Sequence, residues 1–301
     1  MTIPTTPRCP ARPNPARPVV PLALWPVAQT SAQYQRAGRY LPECAQHPAK
    51  MLPELARRII GEYSAEGGLV VDPMAGIATT VAEAALLGRR AIGVEVEARW
   101  AALAEANLDQ LLDPGRRHLA EVRVGDARRL TDVAGDLTGT VDLVCTSPPY
   151  ACDVGNMDKA KWGAGGDLCP TAARNYSTDK DNLGHARGAA YEQAMAEVYA
   201  GCYRLLRLGG ILVTVTKHSR RGGRTLDLAG LTVDLAQQAG FAYLGHVVAL
   251  HAAIRDSRLV ARPSFWQTTQ TRKARARGEP AHLVVHEDCL AFRRPEVTNG
   301  H

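Results

Sequence analysis

The chain of 301 residues is poor in aromatics: Phe, Trp and Tyr together make up 5% of it, and only three are phenylalanine. A core must therefore be assembled from Leu, Val, Ile and the abundant Ala, which suits a layered α/β arrangement. Long apolar runs are missing too. No stretch approaches the roughly 18 residues that span a bilayer, and the amino terminus lacks a signal-peptide core, so no membrane association and a cytoplasmic location are expected. The seven cysteines (Cys9, Cys44, Cys145, Cys152, Cys169, Cys202, Cys289) are odd in number and contain no Cys-x-x-Cys pair. That fits neither a disulfide framework nor a zinc site, so reduced thiols and no metal are expected. Acids are absent from residues 1–26, where eight of the 19 prolines and three arginines fall. Such a stretch supports neither helix nor ladder, and residues 1–45 read as a basic, Pro-rich tail, largely disordered.

What is present is 46% hydrophobic residues, enough at this length for one large core. From residue 46 the pattern alternates. A helix is predicted over 49–62, then strand Leu69-Val-Val-Asp72, a helix over 77–87, strand Ala91-Ile-Gly-Val-Glu95, a helix over 97–112, strand Glu121-Val-Arg-Val-Gly125 and a strand ending at Cys145. After residues 151–188, which lack apolar periodicity, a helix over 189–207 ends at Gly209-Gly210. Strand 211–216, a helix over 226–239 and strands 241–250 and 282–292 follow. Strands alternating with helices predict a mostly parallel sheet of seven strands with helices on both faces, a three-layer α/β domain over 46–294. Residues 151–188 and 251–280 are insertions in it, and 295–301 a short tail. The net charge of +6 leaves a polyanionic partner open.

Two loops carry chemistry. Thr146-Ser-Pro-Pro-Tyr150 follows directly on the apolar strand Val141–Cys145. Consecutive prolines fix their own φ and hold the preceding residue extended, so the carbonyls of Ser147 and Pro148 are stiffly oriented acceptors without a ladder partner. Beside a tyrosine face they suit a planar ring bearing an exocyclic amine. The second loop, in Val71-Asp-Pro-Met-Ala-Gly-Ile-Ala-Thr-Thr80, is a strand, a tight turn and a helix start. It has neither the Gly-Lys-Ser/Thr of a P-loop nor Gly-x-Gly-x-x-Gly, and Asp72 at its start repels phosphate and welcomes a cation. Glu95 and Asp126 close the next two strands, so three acceptors line one edge of the sheet, a pattern suited to a cationic nucleoside.

Asp-Pro-Met-Ala-Gly-Ile-Ala-Thr-Thr together with Thr-Ser-Pro-Pro-Tyr resembles the S-adenosylmethionine-dependent methyltransferases of exocyclic base amines, the cytosine-N4 and adenine-N6 DNA methyltransferases. His47-Pro-Ala-Lys-Met-Leu-Pro53, Gly201–Gly210 and His286–Arg294 are similar to further segments of that family. The resemblance implies a Rossmann-like class I methyltransferase fold and S-adenosylmethionine as cofactor. It implies that Asp72, Ala75 and Gly76 approach the methionine part, Glu95 the ribose and Asp126 the adenine, with His47, Pro48, Pro73, Thr79 and Thr146 completing the cofactor site. Ser147, Pro148, Pro149 and Tyr150 become the catalytic loop: Ser147 and the Pro148 carbonyl take the amino hydrogens while Tyr150 stacks on an extruded base. Where adenine-N6 enzymes have Asp or Asn this chain has Ser147, as cytosine-N4 enzymes do. Cytosine-C5 chemistry needs a Pro-Cys step, which the chain lacks.

The family's usual Phe and second Gly of the turn are Met74 and Ala78 here, which predicts a turn with φ below zero at Ala78. The turn also looks like that of RNA guanine-N2 methyltransferases, which leaves structured RNA as the alternative to DNA. A binding module that has lost its cofactor is the non-enzymatic alternative. Lys217, His218, Arg220, Arg221 and Arg224 after the fifth strand, with Arg272 and Lys273 in the second insertion, are the candidate phosphate contacts. Trp162 and Trp266 are candidate base-stacking residues.

Overall fold

The computed structural model describes residues 21–47, 49–149, 183, 186, 188–221 and 224–296. Pro48, Tyr150 and Trp162 therefore lie outside the described residues, as does nearly all of the insertion at 151–188. In chain order the elements begin with β1 (Leu24–Pro26), α1 (Ala32–Arg36), α2 (Pro53–Tyr63), β2 (Leu69–Asp72), α3 (Thr79–Leu86) and β3 (Arg90–Glu95). Next are α4 (Ala98–Leu111), α5 (Pro114–Arg117), β4 (Ala120–Val124), α6 (Leu130–Ala134), β5 (Val141–Thr146) and α7 (Ala189–Leu205). The last are β6 (Leu206–Thr216), β7 (Ser219–Arg221), β8 (Arg224–Leu226), α8 (Leu228–Gln238), β9 (Ala242–Leu250), β10 (Ala252–Arg255), β11 (Arg258–Ala261), α9 (Phe265–Ala276) and β12 (His286–Arg293).

One sheet organises the chain, in the order β1-β9-β12-β6-β5-β2-β3-β4. All neighbours in it are parallel except the two pairs made by β12. Period-2 alternation assigns its side chains to two cores. Val70, Ala91, Leu143, Val213 and Ala291 pack under α2, α3 and α4, while Val71, Ile92, Val144, Leu212 and Phe292 pack under α6, α7 and α8. The fold is therefore three-layered α/β, as the alternating pattern predicts.

From β2 the chain moves outward through β3 and β4, then returns to place β5 and β6 on the other side of β2. The strand order thus reverses between β2 and β5, and the carboxyl ends of those two strands border the crevice where open α/β sheets bind ligands.

The amino-terminal segment departs from the expectation of a tail through residue 45. Residues 21–45 fold: β1 adds an eighth strand beside β9, Trp25 and Val27 enter the core, and Tyr40 and Cys44 are buried. Pro26 is tolerated because β1 is an edge strand, where a missing N–H leaves no partner wanting. Composition concealed this because three paired residues suffice to dock a proline-rich stretch. At Gly209-Gly210 there is a second departure, since α7 stops at Leu205 and both glycines lie inside β6. Gly209 takes φ 74, and a Cβ on Gly210 would stand 3.0 Å from the Val141 carbonyl oxygen, so these glycines permit a close strand approach rather than end a helix.

Candidate active site

The turn after β2 is held by its own backbone. The Met74 amide donates to Asp72 Oδ1 at 3.1 Å, Ala75 N to the Val94 carbonyl at 2.9 Å and Gly76 N to Glu95 Oε2 at 2.9 Å. Two of these bonds pin the turn onto β3. Gly93 lets it sit there, because a Cβ at that position would stand 2.7 Å from that of Ala75. Gly76 has φ 54, and a Cβ on it would meet the His47 ring at 3.3 Å, so His47 caps the turn directly. The His47 ring stands edge-on to Trp100, centroids 4.8 Å apart, and burial pushes its pKa down to about 4, which keeps the imidazole neutral.

Ala78 corrects the expected turn geometry. It sits at φ 64, ψ 35, left-handed and fully buried, immediately before α3. The turn keeps its shape without the second glycine and stores strain on the order of 1–2 kcal/mol. Ala78→Gly is expected to be neutral or stabilising by up to about 1 kcal/mol, the gain being offset by a more flexible unfolded chain. Ala78→Val should cost about 2–4 kcal/mol through strain and overpacking, both read from denaturant midpoints.

Asp72 is 4% exposed at the end of β2. Burial raises its pKa to about 6, against the opposing hydrogen-bonding influence of Thr80, the Met74 amide and Thr146. Glu95 is raised to about 7, first by burial and then by the charges of Glu97 and Asp72, although each of its oxygens accepts a backbone amide, from Gly76 and Glu97, at 2.9 Å. Thr79 Oγ1, in the first turn of α3, is buried without a hydrogen-bond partner among the described residues. Two buried carboxyls with raised pKa and an unsatisfied hydroxyl at these strand ends suit a cation carrying hydroxyl or amine groups.

Asp126 is differently placed. It follows β4, but Arg128 Nε and Nη2 grip its carboxylate at 2.6–3.1 Å, and it also caps the next turn through Arg128 N. Burial would raise its pKa, and the bonds from Arg128 outweigh that and hold it low. As folded, this acid is an ion pair and cap rather than an open acceptor.

On the other side of the crevice, β5 delivers fully buried Thr146, half-buried Ser147, buried Pro148 and half-buried Pro149. The Tyr191 hydroxyl, from the first turn of α7, donates to the Pro149 carbonyl at 2.9 Å. Among the described residues, none donates to the carbonyls of Ser147 and Pro148. The structure thus brings His47, Asp72, Pro73, Ala75, Gly76, Thr79, Glu95 and Thr146 to the ends of β2, β3 and β5 around one crevice, with Ser147 and Pro148 at its lip. Sequence reasoning passed over Tyr191, Thr80, Gly93 and Trp100. Tyr191 is 42 residues from Pro149 across the insertion, and no local pattern signals that contact.

The candidate phosphate contacts divide. Lys217 is a correction: it is buried at the end of β6, burial lowers its pKa, and its Nζ donates to Gln267 Oε1 of α9 at 3.0 Å. It braces α9 against the sheet instead of facing solvent. The backbone of Arg220, Arg221 and Arg224 lies in the β7–β8 hairpin. Arg272 and Lys273 are exposed on α9. The side chains of Arg220, Arg221, Arg224 and Trp266 lie outside the described residues. Cys44, Cys145, Cys202 and Cys289 are buried free thiols. Among the described residues no helix is long and apolar enough to cross a membrane.

Residues 11–106 match the N6_N4_Mtase family, DNA methylases. The chain is 34% identical over 108 residues to a tRNA (guanine(10)-N2)-dimethyltransferase of Methanocaldococcus jannaschii, covering 35% of this chain and 30% of that one. It is 30% identical over 136 residues to the DNA adenine methyltransferase YhdJ of Escherichia coli, covering 42% and 44%. It is also 41% identical over 59 residues to the type II methyltransferase M.MthZI of Methanothermobacter thermautotrophicus, covering 20% and 17%. The chain thus spans less than half the length of each of these relatives. The stretch that matches this family, residues 11–106, includes the turn with Asp72 and the acid at Glu95, and over it the chain is similar to the N6/N4 DNA methylases.

Proposed function

We propose that the protein transfers a methyl group from S-adenosylmethionine to an exocyclic amine of a DNA base, cytosine N4 by the reading of Ser147. The observation that carries this is the adjacency, at the strand-order reversal, of the Asp72 turn on β2 and the stiff Ser147-Pro148 carbonyls on β5. The residues fit the cofactor: Asp72 and Glu95 favour a cation with hydroxyls, the His47 ring packs against Gly76 and closes that side of the turn, and the Thr79 hydroxyl has no hydrogen-bond partner among the described residues. His47, Pro48, Asp72, Pro73, Ala75, Gly76, Thr79, Glu95 and Thr146 would hold it. When bound, S-adenosylmethionine supplies an electrophilic methyl group on a sulfonium.

An amine on an aromatic ring is a weak nucleophile because its lone pair is delocalised. The carbonyls of Ser147 and Pro148, oriented before the base arrives, accept both amino hydrogens and favour the pyramidal nitrogen. Tyr191 fixes this geometry by holding the Pro149 carbonyl. Tyr150 stacks on the extruded base, worth about 1–3 kcal/mol. No covalent enzyme adduct is required.

RNA guanine N2 is the second reading, favoured by the relative that is a tRNA guanine-N2 dimethyltransferase. Incubation with methyl-labelled S-adenosylmethionine and either duplex DNA or total tRNA, with the modified nucleoside identified by mass, separates the readings. N4-methylcytosine is the expected product. N6-methyladenine would reassign the base, and N2-methylguanosine in RNA would overturn the DNA reading. Tyr191→Phe, which loosens the Pro149 carbonyl without removing the ring, is expected to lower kcat about tenfold with little change in cofactor affinity.

A further inference from the structure

β9 is parallel to β6 and β5, so its end lies toward the same sheet edge as Thr146, three strands across, or about 14 Å at the usual strand spacing, and four residues further along, because Thr146 is level with His246. From that end the chain runs into the antiparallel ribbon β10–β11. Its two turn residues, Asp256 and Ser257, have φ of 47 and 60, the paired positive values of a tight hairpin turn whose twist matches its strands. Ala252 and Ala253 root the ribbon in the core, and everything from Ile254 to Ala261 is exposed. Ile254, Leu259 and Val260 are 52%, 57% and 42% exposed.

A two-stranded ribbon exposed on both faces is marginal alone, and arginine holds this one. Arg255 donates to the Gln29 carbonyl at 2.7 Å and to Gln29 Oε1 at 3.2 Å, and Arg262 donates to the Ala28 carbonyl at 2.9 Å. Between the ribbon and α1 lies a cleft of about 310 Å³ lined by Gln29, Thr30, Ser31, Tyr34, Arg255 and Arg262, with no acid among them. Each guanidinium has five donors, so both keep some for a ligand. Arg258, cross-strand from Arg255 at the tip, is exposed. Residues 251–280 carry seven Arg and Lys against Asp256 and Glu279 alone. This charge complements a polyanion.

We propose that β10–β11 is the DNA-reading element of the protein. The ribbon enters the major groove of B-form DNA with the face that carries the cross-strand pair Ile254 and Leu259 on the base edges. Arg258, at the tip on the opposite face, reaches a phosphate at the groove wall, and the Arg255–Arg262 cleft takes a further backbone phosphate. B-form DNA has a major groove wide enough for a two-stranded ribbon, whereas the deep, narrow major groove of A-form RNA excludes it. The ribbon thereby selects DNA over RNA. This rests on the DNA reading of the preceding section.

The test is fluorescence anisotropy of the full chain, at about 150 mM salt, with a labelled DNA duplex and an RNA duplex of the same sequence. Arg258→Ala and Ile254→Ser/Leu259→Ser are each expected to weaken DNA binding about tenfold, leaving RNA binding and calorimetric S-adenosylmethionine affinity unchanged. On DNA the variants should raise KM and spare kcat. Unchanged DNA affinity in both variants, equal losses on RNA, or a changed sedimentation state with DNA affinity intact would each overturn the proposal, the last assigning the ribbon to a second copy of the chain. If the wild type methylates DNA and the variants keep its KM, the ribbon reading alone fails. If it methylates no DNA while the variants still lose DNA affinity, the proposed function fails and the ribbon reading stands.

Discussion

Replacing Arg39 and Arg57 together by alanine is expected to destabilise the fold by about 3–5 kcal/mol, the cost of leaving a buried carboxylate without its cations. The carboxylate is Glu83, in the middle of α3 and 0% exposed. Arg39 Nη2 reaches Oε1 at 2.8 Å, Arg57 Nε reaches Oε2 at 2.6 Å, and the Tyr40 hydroxyl donates to Oε1 at 3.1 Å. With both arginines gone only Tyr40 remains to solvate the charge. Glu83→Ala should be milder, about 2 kcal/mol, although it removes the same two ion pairs. The Arg39 and Arg57 side chains are 29% and 42% exposed and can turn to water, leaving chiefly the Tyr40 hydroxyl unpaired. Denaturant midpoints of the three proteins check the order, and Glu83→Ala as the most damaging change would refute the account. The cluster joins the amino-terminal segment, through Arg39 and Tyr40, to the helix whose first turn flanks Asp72, so the same loss should weaken cofactor binding.

How much of this was legible beforehand differs by element. The strands that are short apolar runs between turn residues announce themselves, and Leu69–Asp72 coincides with the observed β2. β1 was not legible: three residues with a proline at one end have no period, and their pairing partner, β9, lies more than 200 residues on. Asp72, Glu95 and Asp126 were visible as strand-end acids, yet their fates diverge by contacts that spacing does not encode. Arg128 two residues on closes Asp126, while Glu95 turns back to the Gly76 amide. Lys217 looked like a surface cation because it follows a strand, and it is buried because β12 and α9 close over it. Ala78 is the sharpest case. Residue identity argued against a left-handed conformation, and bonds to Val94 and Glu95 on β3, with the fit over Gly93, impose the turn that requires it.

Affinity for S-adenosylmethionine is expected to climb as pH rises from about 5 to about 7.5, by up to tenfold per pH unit for each carboxyl that must ionise. Asp72, raised to about 6, and Glu95, raised to about 7, are the groups concerned. The stability of the cofactor-free protein should run the other way. A carboxyl whose pKa is raised by folding contributes stability that is fully present below the ordinary carboxylate range and is lost as pH rises through the folded value. These two groups therefore withdraw on the order of a few kcal/mol between about pH 4 and 7.5. His47, at about 4, is neutral across the binding window in the folded protein. Because folding lowers its pKa from the ordinary 6.5, it adds stability as pH rises from about 4 to 6.5, offsetting part of the loss from the two carboxyls. Lys50, lowered to about 8, titrates at the window's upper edge. The signature is a crossing: the unliganded melting temperature falls with pH while the upward shift produced by S-adenosylmethionine grows. Asp72→Asn should raise the unliganded melting temperature at pH about 8, because an amide is buried more cheaply than a carboxylate. It should also weaken S-adenosylmethionine binding at least about tenfold at that pH and remove the part of the profile centred near 6. Calorimetric titration at several pH values decides the matter. If affinity is flat from pH about 5 to 7.5, neither carboxyl meets the cation, and the charge on the cofactor is balanced elsewhere.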